Sequence, residues 1–198
     1  MKQQNSLKRK TTLKSNSPLK RKTPLRSQSK NSKEKTKFEI SEVKVKKPVE
    51  DKKKHIDELD KVFQFYIRLR DSRPDGRCQC ISCGKIVPFS QIQAGHFRSR
   101  THMSTRWSEL NVNGECATCN LQIRNGDHLL DYRKNLIRKI GEKKVEWIEA
   151  YCREYRKWDD FEMTIMIKEY SKKCLQLSKE KGIPLSQTVQ RIIKKYIK

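Results

Sequence analysis

Apolar side chains recur at three- and four-residue steps over residues 55–70, at Ile56, Leu59, Phe63, Tyr66 and Ile67, a spacing that predicts a helix. Asp71-Ser72-Arg73-Pro74-Asp75-Gly76 then reads as a stop and a turn. Through residues 77–125 the helical period is lost, and Gly84, Gly95 and Gly114 break any long helix. This stretch reads as a short hairpin-like β unit followed by a helix opening near residue 116. Beyond Gly126, Asp127 can cap a helix that runs through Leu130, Leu136, Ile137 and Ile140 to a stop at Gly141. A further helix is expected over 142–155, with Val145, Trp147, Ile148 and Tyr151 inward. Asp159 or Asp160 caps the next, which reaches Lys181 before Gly182, and Ser186 suits the N-cap of a last one with Val189, Ile192, Ile193 and Ile197 inward.

Residues 1–54 show no hydrophobic period. They hold 19 Lys and Arg against 5 Asp and Glu, with one Phe and neither Trp nor Tyr. Charge self-repulsion and the shortage of apolar side chains predict a disordered tail. A near-repeat runs through it, Leu7-Lys8-Arg9-Lys10-Thr11-Thr12-Leu13 returning as Leu19-Lys20-Arg21-Lys22-Thr23-Pro24-Leu25. Such a segment can be a solubilising tail, a mobile polycation that follows phosphates, or a localisation signal. Three parts are therefore expected: a tail at 1–54, a core with its preceding helix at 55–141, and a helical C-terminal region at 142–198.

The whole chain of 198 residues carries a formal net charge of +24. That balance points to a polyanionic partner, nucleic acid before anionic membrane. No run approaches a membrane-spanning helix, and the basic N-terminus lacks the apolar stretch of a secretory signal. A cytoplasmic setting is expected.

Four of the seven cysteines form two knuckles, Cys80-Ile81-Ser82-Cys83-Gly84 and Cys116-Ala117-Thr118-Cys119-Asn120. In a reducing compartment two CxxC pairs favour metal over disulfides, and four thiolates complete a closed tetrahedral zinc site. Gly84 suits the turn after Cys83 because glycine tolerates positive φ. Cys78 is read as a bystander, and Cys152 and Cys174 as small core side chains. His96 lies between the knuckles, near the unperturbed pKa that suits a base at neutral pH. His102 and His128 read as exposed loop residues or phosphate and metal contacts, and His55 as solvated.

The order of Cys80-Ile-Ser-Cys83-Gly, Ala94-Gly95-His96-Phe97-Arg98-Ser99, Arg106-Trp107-Ser108-Glu109-Leu110-Asn111-Val112 and Cys116-Ala-Thr-Cys119-Asn120 resembles the NinG/Rap family of phage recombination endonucleases. Asn125-Gly126-Asp127 and Tyr132-Arg133 extend the likeness, which covers roughly residues 55–175. That family is similar in turn to zinc-containing HNH, or ββα-metal, nucleases. The resemblance implies an α+β fold with a zinc-knuckle ββα-metal core, flanking helices and a helical C-terminal region. It implies cleavage of branched DNA, such as Holliday junctions and D-loops, during phage recombination in the bacterial cytosol or nucleoid. His96 then matches the general base, Asn111 the residue that orients the loop and imidazole, and Asn120 a ligand of catalytic Mg²⁺ or Mn²⁺. Many HNH enzymes place an Asp immediately before the base; here that place is Gly95. Asp127 is the first candidate for the missing carboxylate and Glu109 the second, with Asp127 equally readable as a plain helix cap.

Arg98, Arg100, Arg106, Arg124 and Arg133 surround these motifs and suit contacts to phosphates. Trp107 is expected in the core, with stacking on an unpaired base as the alternative. A symmetric junction substrate favours a homodimer, and recombination implies a recombinase as a further partner. The competing class is a zinc-ribbon-like nucleic-acid binder without catalysis, which has no need of a His96–Asn120 pair.

Overall fold

The computed structural model describes residues 48–122 and 127–197. The expected disordered tail lies outside the described residues up to position 47, and its last seven residues are not tail. Helix α1 runs Pro48–Asp71, seven residues longer at its start than the apolar period indicates. Pro48 suits the first helical position, where its missing N–H costs nothing. After α1 come β1 (Arg77–Gln79), β2 (Ile86–Pro88), β3 (Ile92–His96) and β4 (Val112–Cys116). Helices α2 (Ala117–Gln122), α3 (Asp127–Ile140), α4 (Glu142–Tyr151), α5 (Asp160–Lys181) and α6 (Gln187–Tyr196) complete the mixed α+β chain.

The strands make two separate antiparallel ladders. β1 pairs with β2 in the register Cys78↔Val87, and β3 pairs with β4 from Ile92↔Cys116 to His96↔Val112. The fifteen-residue loop 97–111 joins β3 to β4, and α2 follows β4 directly.

Helix α1 is the central strut. Leu59, Val62, Phe63, Phe65, Tyr66, Ile67 and Leu69 are all buried, more of its circumference than one stripe. The reason is that α1 is covered from two sides, by α5 and α6 and by the β3–β4 ladder. Tyr170 of α5 meets Phe63 edge-on at 4.9 Å and Tyr66 at 5.1 Å. Each large apolar side chain so buried is worth about 1.5–3 kcal/mol. Lys181, at the end of α5, donates to the carbonyls of Leu69, Arg70 and Ser72 at 2.6, 3.1 and 2.5 Å. An ammonium thus satisfies carbonyls that the end of α1 leaves without helical partners, at the negative end of its dipole.

The expected boundary at 141/142 does not separate two cores. Met163, Ile167, Cys174, Val189, Ile192 and Ile193 share one cluster with α1, Trp107 and Val112, so α5 and α6 close onto α1. A smaller cluster joins Phe97, Tyr132, Leu136, Val145 and Ile148 between loop 97–111, α3 and α4. Asp159 caps α5 in a reciprocal capping box with Glu162, and Ser186 caps α6. Helix α4 is four residues shorter than expected, ending at Tyr151.

The inward assignment of Trp147 is overturned, and Leu130, part of the apolar run of α3, faces outward as well. Leu130 and Trp147 are exposed, at 71% and 48%, while Tyr132 is fully buried. On α4, Val145, Ile148 and Cys152 share the inner face; Trp147 and Tyr151, one turn apart on another face, stack on each other at 4.7 Å. His55 is not simply solvated, since its Nδ1 pairs with Asp160 at 3.2 Å. Among the described residues no helix is long and apolar enough to cross a membrane.

Candidate functional site

The two ladders bring the cysteine knuckles together. Cys80 follows β1, Cys83 lies in the β1–β2 turn, Cys116 ends β4 and Cys119 sits on α2. Gly84 adopts φ 73° and closes that turn through its N–H to the Cys80 carbonyl at 3.0 Å. The backbone N–H of Cys116 donates to the Cys80 sulfur at 3.3 Å. All four sulfurs lie within 4.8 Å of one another, and those of Cys83 and Cys116 are 3.9 Å apart. Tetrahedral zinc with Zn–S bonds of about 2.3 Å sets its sulfurs about 3.8 Å apart, so these four thiols can hold a metal such as zinc. Cys78 points into the core and is no member of the cluster; Cys152 and Cys174 are buried, as expected.

His96 ends β3, about one strand length from Cys116 on the paired strand. Its Nε2 lies 3.0 Å from the Arg106 carbonyl. A carbonyl only accepts, so Nε2 carries the proton and Nδ1 keeps the lone pair. Burial pushes the imidazole down to about 4, with Arg100 adding to the effect and the Arg106 carbonyl opposing it. The ring is therefore neutral at pH 7, with its basic nitrogen available.

Asn111 is fully buried and ties loop 97–111 across its neck. Its amide nitrogen donates to the carbonyls of Arg98 and Thr105, and its oxygen accepts from the Arg98 N–H at 2.8 Å. Its side-chain hydrogen bonds go to the loop and not to His96; it holds the loop whose Arg106 carbonyl accepts from the imidazole. Asn120, on α2, donates to Gln93 Oε1 at 2.6 Å, which leaves its carbonyl oxygen as its acceptor.

Gly95 is glycine for a steric reason. A Cβ there would lie 2.8 Å from the Cβ of Glu115 and 3.0 Å from its Cδ, with Oε2 closer still. Glu115 is fully buried on β4 and accepts from the Ser82 hydroxyl of the first knuckle. The space that an Asp before His96 would need is filled by the carboxylate of another residue.

His96 and Asn120 line one open cleft of about 970 Å³, between β3, loop 97–111, α1 and α6. Lys61, Arg68, Arg100 and His102 also line it. Among its described residues there is no carboxylate. Amide oxygens and an imidazole alone fall short of a Mg²⁺ site, which takes one or two carboxylates besides waters and phosphate oxygens. Glu109 does not supply one: it is held by the Tyr66 hydroxyl and Lys173, both at 2.7 Å, and is no part of the cleft. The side chains of Asp127 and His128, and all of Arg124, lie outside the described residues.

Of the other arginines, three already have carboxylate partners. Arg98 and Arg133 both grip Glu149 of α4, at 2.7 and 3.0 Å, and Arg106 grips Asp60 of α1 at 2.5 Å. Arg100 is exposed at the cleft mouth. Trp107 is 4% exposed and donates to Asp60 at 2.8 Å, so it belongs to the core and is no free stacking surface. Asp60, Glu115, Glu149, Lys61 and Gln93 were not singled out by sequence reasoning. The helical register of α1 places Lys61 and Arg68 seven residues apart on one side, a signal present in the sequence; the carboxylate contacts leave none.

The family model described as Bacteriophage Lambda NinG protein matches residues 1–180. Protein ninG of Escherichia phage lambda is 32% identical over 123 residues, which are 62% of this chain and 56% of that protein. Protein ninG of Escherichia phage 933W and of Enterobacteria phage VT2-Sa are each 32% identical over 123 residues, covering 57% of their lengths. The chain thus spans about half the length of the curated relatives it matches. No solved structure matches it. With nine-tenths of its length under that one family model, and with both cysteine knuckles, His96 and Asn120 inside the matched span, this chain belongs to the NinG family.

Proposed function

We propose that this chain is an endonuclease of the HNH, or ββα-metal, type that hydrolyses phosphodiester bonds in branched DNA. The observation that carries the proposal is His96: a neutral imidazole with Nε2–H fixed on the Arg106 carbonyl and Nδ1 unprotonated, sharing a cleft with Asn120. The order of β3, loop, β4 and α2, with the base at the end of the first strand and Asn120 on the helix, supports the same reading.

His96 Nδ1 takes a proton from a water whose oxygen attacks phosphorus, and the resulting imidazolium keeps its Nε2–H bond to Arg106. The bond from phosphorus to the 3′ oxygen breaks, leaving a 5′-phosphate and a 3′-hydroxyl once that oxygen is protonated. Lys61 and Arg100 meet the charge on the phosphate, and Asn120 orients its oxygens. Dependence on Mg²⁺ or Mn²⁺ is part of the proposal; it needs Asp127 to complete the donor set with Asn120. A bound divalent ion would neutralise charge on the phosphate and leaving oxygen. The zinc knuckles hold β4 and α2 to the first hairpin and do no chemistry. A recombinase partner and a homodimer that cuts a junction symmetrically belong to the same proposal.

The test is a labelled four-way junction incubated with purified protein and Mg²⁺, with and without chelator, beside His96→Ala. Cleavage by the wild type alone is expected. Cleavage by both proteins would overturn His96 as the base, and binding by both with cleavage by neither would overturn the enzyme in favour of a zinc-bearing DNA binder.

A further inference from the structure

We infer that Asp60 is the positioning residue for the His96 imidazole, an assignment that rests on His96 being the base. Asp60 lies in the middle of α1, 36 residues before His96; it is not among the residues that line the cleft, its hydrogen bonds go to Arg106 and Trp107, and its charge acts on the imidazole at a distance. Its carboxylate accepts three hydrogen bonds. Arg106 gives two, from Nε at 3.0 Å and Nη2 at 2.5 Å, and Trp107 gives one from Nε1 at 2.8 Å.

Those two donors flank one peptide unit. The carbonyl between the Arg106 and Trp107 side chains is the acceptor for His96 Nε2–H. One carboxylate therefore clamps the side chains on both sides of the group that sets the tautomer and plane of the ring. The clamp itself is anchored. The Asp60 side chain is 14% exposed, Trp107 packs edge-on against Trp158 at 5.8 Å, and the remaining Arg106 nitrogen donates to the Arg100 carbonyl at 3.0 Å. Without the clamp the 106–107 peptide is free to turn, and the imidazole loses its reason to keep the proton on Nε2. Orienting partners of this kind change activity about 10- to 100-fold when removed, without touching substrate.

The readout is the ¹⁵N spectrum of the His96 ring at pH 7 in Asp60→Asn, Asp60→Ala and Trp107→Phe, with wild type as reference. Wild type is expected to show the Nε2–H tautomer alone. Asp60→Asn keeps one acceptor oxygen and should fall between wild type and Asp60→Ala in the share of the Nδ1–H form. Trp107→Phe keeps an aromatic ring in the core and removes one N–H, so it carries the test even where the Asp60 variants fail to fold. In junction cleavage kcat should fall about 10- to 100-fold with KM within about twofold. A pure Nε2–H tautomer in every folded variant would overturn the inference. A wild-type protein that binds junctions and cuts none would instead defeat the nuclease reading, and the tautomer measurement would still decide whether Asp60 sets the ring.

Discussion

Gly95→Ala tests the packing that distinguishes this chain from HNH enzymes with an Asp before the base. The added Cβ would lie 2.8 Å from Glu115 Cβ, a backbone-attached atom that cannot swing aside, and closer still to its Oε2. Relief requires the β3–β4 ladder to shift or Glu115 to leave its bond from Ser82. Overpacking a dense core costs about 1–3 kcal/mol. Displacing a buried carboxylate from a donor adds about 1–3 kcal/mol. A loss of about 2–6 kcal/mol is expected, which for a folded unit of this size lowers Tm by roughly 4–24 °C at the usual ~2–4 °C per kcal/mol. Thermal and urea melts of Gly95→Ala, Glu115→Ala and the double variant measure it. The double variant should recover at least about 1 kcal/mol of coupling, because truncating Glu115 removes Oε2 and Cδ while its Cβ remains. A Gly95→Ala protein as stable as wild type, or one whose defect Glu115→Ala leaves untouched, would refute the reasoning.

Four further outcomes are expected. On the reading that the four thiols hold zinc between β4, α2 and the first hairpin, Cys119→Ser or a strong chelator should lower both the metal content by mass spectrometry and the melting temperature. Deleting residues 1–47, which leaves α1 whole, should weaken DNA binding and lower the slope of log K against log salt; binding isotherms at several salt concentrations read this directly. Burial depresses His96 to about 4, so between about pH 4 and its unfolded value near 6.5 the unfolded chain binds the extra proton and stability rises with pH; melts at pH 5 and 7 should differ by less in His96→Phe than in wild type. Lys181→Met removes a donor from three carbonyls at and just past the end of α1, of which Leu69 keeps the Ser72 N–H and hydroxyl, and should cost about 1–3 kcal/mol, seen as a lower urea midpoint with an unchanged m-value.

Where the chain advertises its elements, local chemistry is enough. The capping box at Asp159, the N-cap Ser186 and the terminators Gly141 and Gly182 set α3 to α6 to within a few residues of expectation. The clustering of four thiols that can hold a metal such as zinc was equally legible, because CxxC spacing is written along the chain, and the structure brings His96 and Asn120 to one cleft. Contacts across long separations were not. Asp60 meets Arg106 46 residues away, and Glu149 meets Arg98 51 residues away; both carboxylates look like ordinary polar helix positions until the fold brings the arginines to them. The same blindness made all nearby arginines appear free for phosphate, although Arg98, Arg106 and Arg133 are each paired with a carboxylate, Arg98 while lining the cleft. Trp147 misled because a large aromatic on a helix is usually buried, and here its i+4 neighbour Tyr151 covers one face of the ring instead.

The embrace of α1 by α5 has a consequence during synthesis. Leu59, Phe63 and Ile67 emerge from the ribosome more than ninety residues ahead of Met163, Ile167 and Tyr170, the side chains that keep them from water. Until that late partner arrives, the helix bearing Asp60 and Lys61 has only its contacts to loop 97–111 and the β3–β4 ladder, among them Asp60 with Arg106 and Trp107 and Asp71 with the Gly114 N–H, and its other face lies open to water. A nascent chain thus carries every motif of the site while one apolar face of its central helix still waits for cover, which makes that interval the one in which a chaperone or a premature contact has most to act on.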